Sequence, residues 1–126
     1  MSMQTPLNKV RGFGSARSGT EHWWLQRVTA IANTVLAVFF IFLVISLVGE
    51  SYQEVTATLA SPLIAIAMLA LILSVTWHMR LGMQVIIEDY VHGEGSKIAL
   101  LLANTFFCAA MAIAAIFAIL NLSLGA

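Results

Sequence analysis

Cysteine is nearly absent from this sequence: Cys108 stands alone inside a long apolar run. Neither an internal disulfide nor a cysteine-based metal cluster can be built from it, so iron-sulfur chemistry within this chain is excluded. Charge is also scarce. Of 126 residues 10% are charged and 60% are hydrophobic, and the formal net charge is zero. That composition is far from a soluble domain's, and the missing positive excess argues against a nucleic-acid partner. Internal repeats and low-complexity linkers are also lacking. So short a chain leaves little for a separate soluble domain, and catalysis on a polar substrate has to come from another polypeptide.

What the chain does have is three apolar stretches, Val28 to Val48, Pro62 to Ile87 and Ile98 to Leu120. Each exceeds the roughly 18 residues a helix needs to cross a hydrocarbon core of about 30 Å. The fold class expected is an all-α integral membrane protein with three transmembrane helices, at about 25–48, 62–88 and 97–121. Residues 1–24 form a cytoplasmic segment and 25–126 the membrane anchor domain. Pro62 suits the first turn of the second helix, where its missing N–H breaks no helical bond. Gly93 and Gly95 break the chain before the third helix.

Orientation follows from the basic residues of short loops. Lys9, Arg11, Arg17 and Arg27 precede or open the first stretch against one acid, Glu21, whereas the loop 49–61 has no basic residue. The N-terminus is expected in the cytoplasm and the C-terminus in the periplasm, in a bacterial inner membrane. The first stretch is too long for a signal-peptide core and reads as a retained signal-anchor. A mitochondrial inner membrane is the alternative, because a basic, acid-poor start also suits an organellar transit peptide.

The chemistry is concentrated in the second helix, where His78 and Arg80 lie within an apolar span. Arg at the centre of a membrane helix costs roughly 2.5–3.5 kcal/mol on insertion scales, so it needs a partner, a cavity or a cofactor. His78 falls about 14 Å before Ile87, near the midplane. A neutral imidazole at that depth suits a metal, above all haem iron, although pairing with a neighbouring helix is the simpler alternative. Ser74, Gly82, Val85 and Asp89 all fall within about 40° of the His78 face. Gly82 removes a side chain where a flat macrocycle or another helix has to come close. Small-residue stripes also mark plain packing.

His22 and His92 fall at the membrane boundaries, so a second intramembrane histidine ligand has to come from another chain. Arg80 points about 160° away from His78. Helical side chains lean toward the N-terminus, which makes snorkelling to the cytoplasmic surface awkward. The expected partner is therefore internal, a carboxylate or an anion at the edge of the site, with helix pairing as the alternative. The second helix ends in Glu88, Asp89, Tyr90, Val91 and His92. Tyrosine stays protonated at neutral pH, so the Tyr90 hydroxyl can donate to a quinone carbonyl. Charged helix ends and aromatic belts are equally an ordinary membrane-boundary feature.

The run from His78 through Gly82 to Asp89, Tyr90 and Val91 resembles the signature of the small membrane anchor subunit of succinate dehydrogenase. The pattern is a haem-ligating His, a Gly four residues on and an Asp-Tyr pair eleven and twelve on. Arg27-Val28-Thr29-Ala30-Ile31 is similar to the family's Arg-x-Thr-Ala motif. The resemblance covers most of the chain from about Trp24, while residues 1 to 20 carry no familiar motif.

It implies a succinate:quinone oxidoreductase subunit with no succinate-oxidising chemistry of its own. His78 becomes one axial ligand of haem b, the other coming from a larger cytochrome b anchor subunit. Tyr90 hydrogen-bonds ubiquinone, Asp89 supports that site, and Arg27 lies near the haem propionates. Flavoprotein and iron-sulfur subunits supply the electrons. Family members differ at Arg80, so its expected role toward a propionate or a carboxylate rests on charge alone. A quinol:fumarate reductase anchor and a non-redox assembly or transport component are the rival readings.

Overall fold

The computed structural model describes residues 5–12 and 19–124; Arg17, one of the four basic residues used for orientation, lies outside them. A short helix α1 (Pro6–Val10) precedes α2 (Gly19–Ser46), α3 (Tyr52–Ala60), α4 (Pro62–Tyr90) and α5 (Glu94–Leu124). Three of these, α2, α4 and α5, are long and apolar enough to cross a membrane. No strand occurs among the described residues.

Each expected span is present, and each is longer than expected. The first begins at Gly19, so the boundary drawn at residue 24 falls inside α2, with Glu21, His22, Trp23 and Trp24 on its opening turns. Hydropathy marks where a helix enters lipid, whereas the helix itself continues through the polar boundary. Pro62 stands at the first turn of α4 as expected. Of the two glycines placed in the following break, only Gly93 lies in it. Gly95 is inside the first turn of α5, and the Lys97 N–H donates to the Gly93 carbonyl at 2.8 Å. The Lys97 ammonium reaches back to the Glu88 carbonyl at 3.1 Å, covering one of the carbonyls α4 leaves open at its end.

The loop expected over 49–61 contains α3. Ser51 is its N-cap, in a reciprocal capping box with Glu54: the Glu54 N–H donates to Ser51 Oγ at 3.3 Å and the Ser51 N–H donates to Glu54 Oε2 at 3.0 Å. This Ser-x-x-Glu arrangement satisfies two backbone donors at once. Gly49, with φ +88°, supplies the left-handed residue after α2.

Helix α4 is the middle of the bundle. Helices α2 and α5 both pack on it, and among the described residues their Cα atoms do not come within 8 Å of each other. Helix α3 rests on α5 and α4, with the Ser123 hydroxyl donating to the Ala60 carbonyl at 3.4 Å. The chain has little core of its own: among the described residues Leu43, Ala65, Leu71, Leu81, Ile87 and Cys108 are its buried apolar side chains. A three-helix layer in lipid needs no more, because apolar side chains facing hydrocarbon carry no exposure cost.

Candidate functional site

His78 and Arg80 lie on opposite sides of α4, as the helical period requires, and their surroundings differ. His78 faces α2. Its Nδ1 lies 3.0 Å from Thr29 Oγ1, and Thr29 is further tied in by the Ser74 hydroxyl, which donates to the Thr29 carbonyl at 3.4 Å. Ser74 and His78 are one turn apart on α4, so Thr29 sets the register of α2 against the stripe singled out in the sequence. Beside this contact a groove of about 260 Å³ is lined by Gln26, Arg27, Ala30 and His78. Arg27 is exposed, and its guanidinium lies 5.4 Å from the centre of the Trp23 ring, within cation–π reach.

Gly82, one turn beyond His78, opens onto empty space: a Cβ built there meets nothing within 4 Å. Close packing of a neighbouring helix of this chain is therefore not what a glycine serves at this position. Asp89 and Tyr90 end α4, with Tyr90 77% exposed. His92 lies close by, its Nδ1 3.0 Å from the Tyr90 carbonyl.

Arg80 lies on the other side of α4 and lines two different grooves, one with Gly19, Glu21, His22, Trp77, Gln84 and Glu88, the other with Trp77, Thr105 and Cys108 among others. Its Nε donates to Thr105 Oγ1 at 3.5 Å, and its guanidinium lies 5.7 Å from the centre of the Trp77 ring. Within this chain its contacts are a hydroxyl and a ring, which is the helix pairing kept as the alternative. The structure thus brings His78 and Arg27 onto one groove, sets Gly82 next along the same stripe, and leaves Arg80 out of that groove.

Three polar residues of this arrangement were missed in the sequence reading. Asn104 donates from Nδ2 to the Arg80 carbonyl at 3.0 Å, and the Cys108 thiol donates to Asn104 Oδ1 at 3.5 Å. Asn104 and Thr105 therefore join α5 to α4 at Arg80, polar glue of the kind membrane helices use. A polar pair inside an apolar run is the signal that could have found them. Thr29 stood in plain view within Arg27-Val28-Thr29-Ala30, but nothing in one dimension shows that it meets His78, 49 positions away.

Three packed helices long and apolar enough to cross a membrane, with His78 of the middle one facing a groove, define an all-α membrane protein. The comparisons make this particular. The model of the family described as succinate dehydrogenase/fumarate reductase transmembrane subunit matches residues 1–119. The chain is 33% identical over 122 residues to the succinate dehydrogenase hydrophobic membrane anchor subunit of Paracoccus denitrificans, covering 97% of this chain and 94% of the relative. It is 37% identical over 95 residues to the succinate dehydrogenase membrane anchor subunit of Reclinomonas americana, covering 71% and 78%. The hydrophobic membrane anchor subunit of Rickettsia bellii is 31% identical over 99 residues, 79% of each chain. No solved structure matches. The chain belongs to the succinate dehydrogenase/fumarate reductase transmembrane subunit family, among its hydrophobic membrane anchor subunits. The likeness also reaches into the first twenty residues, where the sequence showed no motif.

Proposed function

We propose that this chain, as the small membrane anchor of a succinate dehydrogenase, supplies one axial ligand of haem b and part of a ubiquinone-reduction site. The observation that carries the reading is the posture of His78, which is held to α2 by one ring nitrogen beside a groove that also takes in Arg27. This fits a macrocycle's requirements: an imidazole nitrogen for the metal, a cation for carboxylate substituents, and a flat, side-chain-free turn at Gly82. When bound, haem b supplies one-electron redox capacity at the midplane.

The chain's own residues bind and orient. His78 would ligate the iron together with a ligand from a larger cytochrome b anchor subunit, and Arg27 would balance propionate charge. At the boundary Tyr90 keeps a proton on Oη and donates it as a hydrogen bond to a quinone carbonyl, while Asp89 orients that end of the site or passes a proton. Arg80 works inside the bundle, holding α5 to α4. Iron-sulfur and flavoprotein subunits sit over the Tyr90 end of α4 and deliver electrons from succinate there, which places that end in the cytoplasm of a bacterium and the chain in its inner membrane.

The relatives named as succinate dehydrogenase subunits favour succinate oxidation over the fumarate-reducing direction, and the family match weighs against a non-redox component. A reduced-minus-oxidised spectrum of the purified complex tests the cofactor reading: sharp b-type bands support it, and their absence removes it. Reporter fusions test the orientation. One placed at Gly95 is expected to report the cytoplasm and one after Ala126 the outer compartment; exchanged signals would move the proposed quinone site to the wrong face.

A further inference from the structure

The Thr29–His78 contact carries more than helix packing, because the distances around the Thr29 hydroxyl favour one placement of its proton and of the imidazole's. Thr29 Oγ1 lies 2.8 Å from the Leu25 carbonyl and 3.2 Å from the Gln26 carbonyl, as well as 3.0 Å from His78 Nδ1. A hydroxyl has one proton and two lone pairs. The carbonyls of Leu25 and Gln26 have no proton to give, so the Thr29 proton belongs on the shorter of those bonds, the back-bond that helical threonines ordinarily make. The lone pairs then face His78, and Nδ1 has to carry the ring proton and donate. In the opposite tautomer the hydroxyl must turn away from Leu25, exchanging a 2.8 Å bond for one of 3.0 Å. Ser74 holds the Thr29 backbone carbonyl as well, which keeps this turn of α2 against the His78 side of α4.

We propose that Thr29 is a positioning residue that fixes His78 as the Nδ1–H tautomer, leaving Nε2 as the bare nitrogen presented to the haem iron. The proposal rests on the reading of His78 as a ligand and adds to it the residue that makes the imidazole a committed one. A ring N–H donated to a fixed acceptor raises the basicity of the other nitrogen and stops the ring from turning. Removing the acceptor weakens donation to the metal, disfavours the ferric state and moves the midpoint potential to more positive values.

The test compares Thr29→Val, which keeps the shape and deletes the acceptor, with Thr29→Ser, which keeps the hydroxyl and deletes a methyl. Both are made in the complete detergent-purified complex, with His78→Ala alongside. Two readouts independent of turnover are used: the midpoint potential of the b-type bands, and the rate of haem transfer to excess apomyoglobin. Thr29→Val is expected to shift the potential positively and to speed transfer by roughly ten- to a hundredfold, the usual cost of losing such an outer partner. Thr29→Ser is expected to return both close to the parent.

A Thr29→Val complex with unchanged potential and transfer rate, in a preparation where His78→Ala loses its low-spin spectrum, overturns this proposal and leaves the ligand reading standing. An unchanged low-spin spectrum in His78→Ala removes both. Equal damage by Val and Ser shows that Thr29 merely packs, and also overturns it.

Discussion

The two sides of α4 at the level of His78 and Arg80 make an instructive pair. Both carry an ionisable side chain at a similar depth in an apolar helix, and both are met by a threonine of a neighbouring helix, Thr29 on one side and Thr105 on the other. On the Arg80 side the contacts run between helices of this chain: Nε donates to Thr105 Oγ1, the guanidinium lies over the Trp77 ring and Asn104 donates to the backbone carbonyl. On the His78 side one ring nitrogen is engaged and the groove beyond it is open. A costly residue in a membrane can thus be there to hold the bundle or to serve a cofactor. The distinction lies in what the contacts join: those at Arg80 tie α5 to α4, whereas the one at His78 leaves the second ring nitrogen over, beside an open groove.

The comparison breaks most sharply at His78. His78→Ala is expected to abolish the low-spin b-type spectrum of the complex while quinone reduction continues in part, because in the proposed assembly electrons would reach the boundary site from the iron-sulfur subunit directly. Optical spectra of the purified variant, read beside succinate:quinone turnover, check both halves.

A smaller effect is expected at Tyr90, whose substitution by Phe keeps the ring and deletes only the donor. A lost neutral hydrogen bond costs about 0.5–1.5 kcal/mol, and an unpaired partner in a dry pocket about 1–3 kcal/mol. Quinone reductase activity should then fall roughly ten- to a hundredfold, at about 1.4 kcal/mol per decade. Electron delivery to an artificial acceptor at the flavin or iron-sulfur centres should stay normal; equal loss of both activities would place the damage in assembly.

On the other side of α4 the changes should be structural and slight. Asn104→Leu removes the bond to the Arg80 carbonyl, and an interhelical bond of this kind is worth about 0.6 kcal/mol on average in membrane proteins. Thermal unfolding of the complex in detergent should show a small loss with an unaltered haem spectrum. A changed spectrum would mean that the two sides of α4 are coupled.

The smallest effect is expected at the N-cap of α3. Hydrogen bonds from the Ser51 hydroxyl, and secondarily from its backbone N–H, hold the Glu54 carboxyl below the ordinary glutamate range. A lowered folded value means that the stabilisation is present above the unfolded value and is lost as pH falls through the folded one. Hydrogen exchange of the first-turn amides of α3 should therefore gain relative to those of α4 on acidification, once the intrinsic pH dependence of exchange is allowed for. Glu54→Gln should flatten that difference.

How much of this was legible in one dimension differs by element. Three spans were readable because a helix must satisfy its own backbone in lipid, which leaves a long apolar run as the trace. Their ends were not, since helices persist past the hydrocarbon: α2 begins at Gly19 and α5 at Glu94. The short α3 left a Ser51-x-x-Glu54 trace that hydropathy passes over. The stripe of His78, Gly82 and Asp89 could be drawn from spacing on one helix, where geometry is fixed by 3.6 residues per turn, whereas Tyr90 was proposed from its place at the boundary end and from the family signature. By itself, then, the sequence determined three apolar spans and the stripe on α4. Only the tertiary structure decided that α4 stands between α2 and α5, that Thr29 meets His78 and that Asn104 and Thr105 meet Arg80. Those contacts join residues far apart in the chain, and which side of one helix packs on another depends on the fit of two surfaces, which local periodicity does not contain.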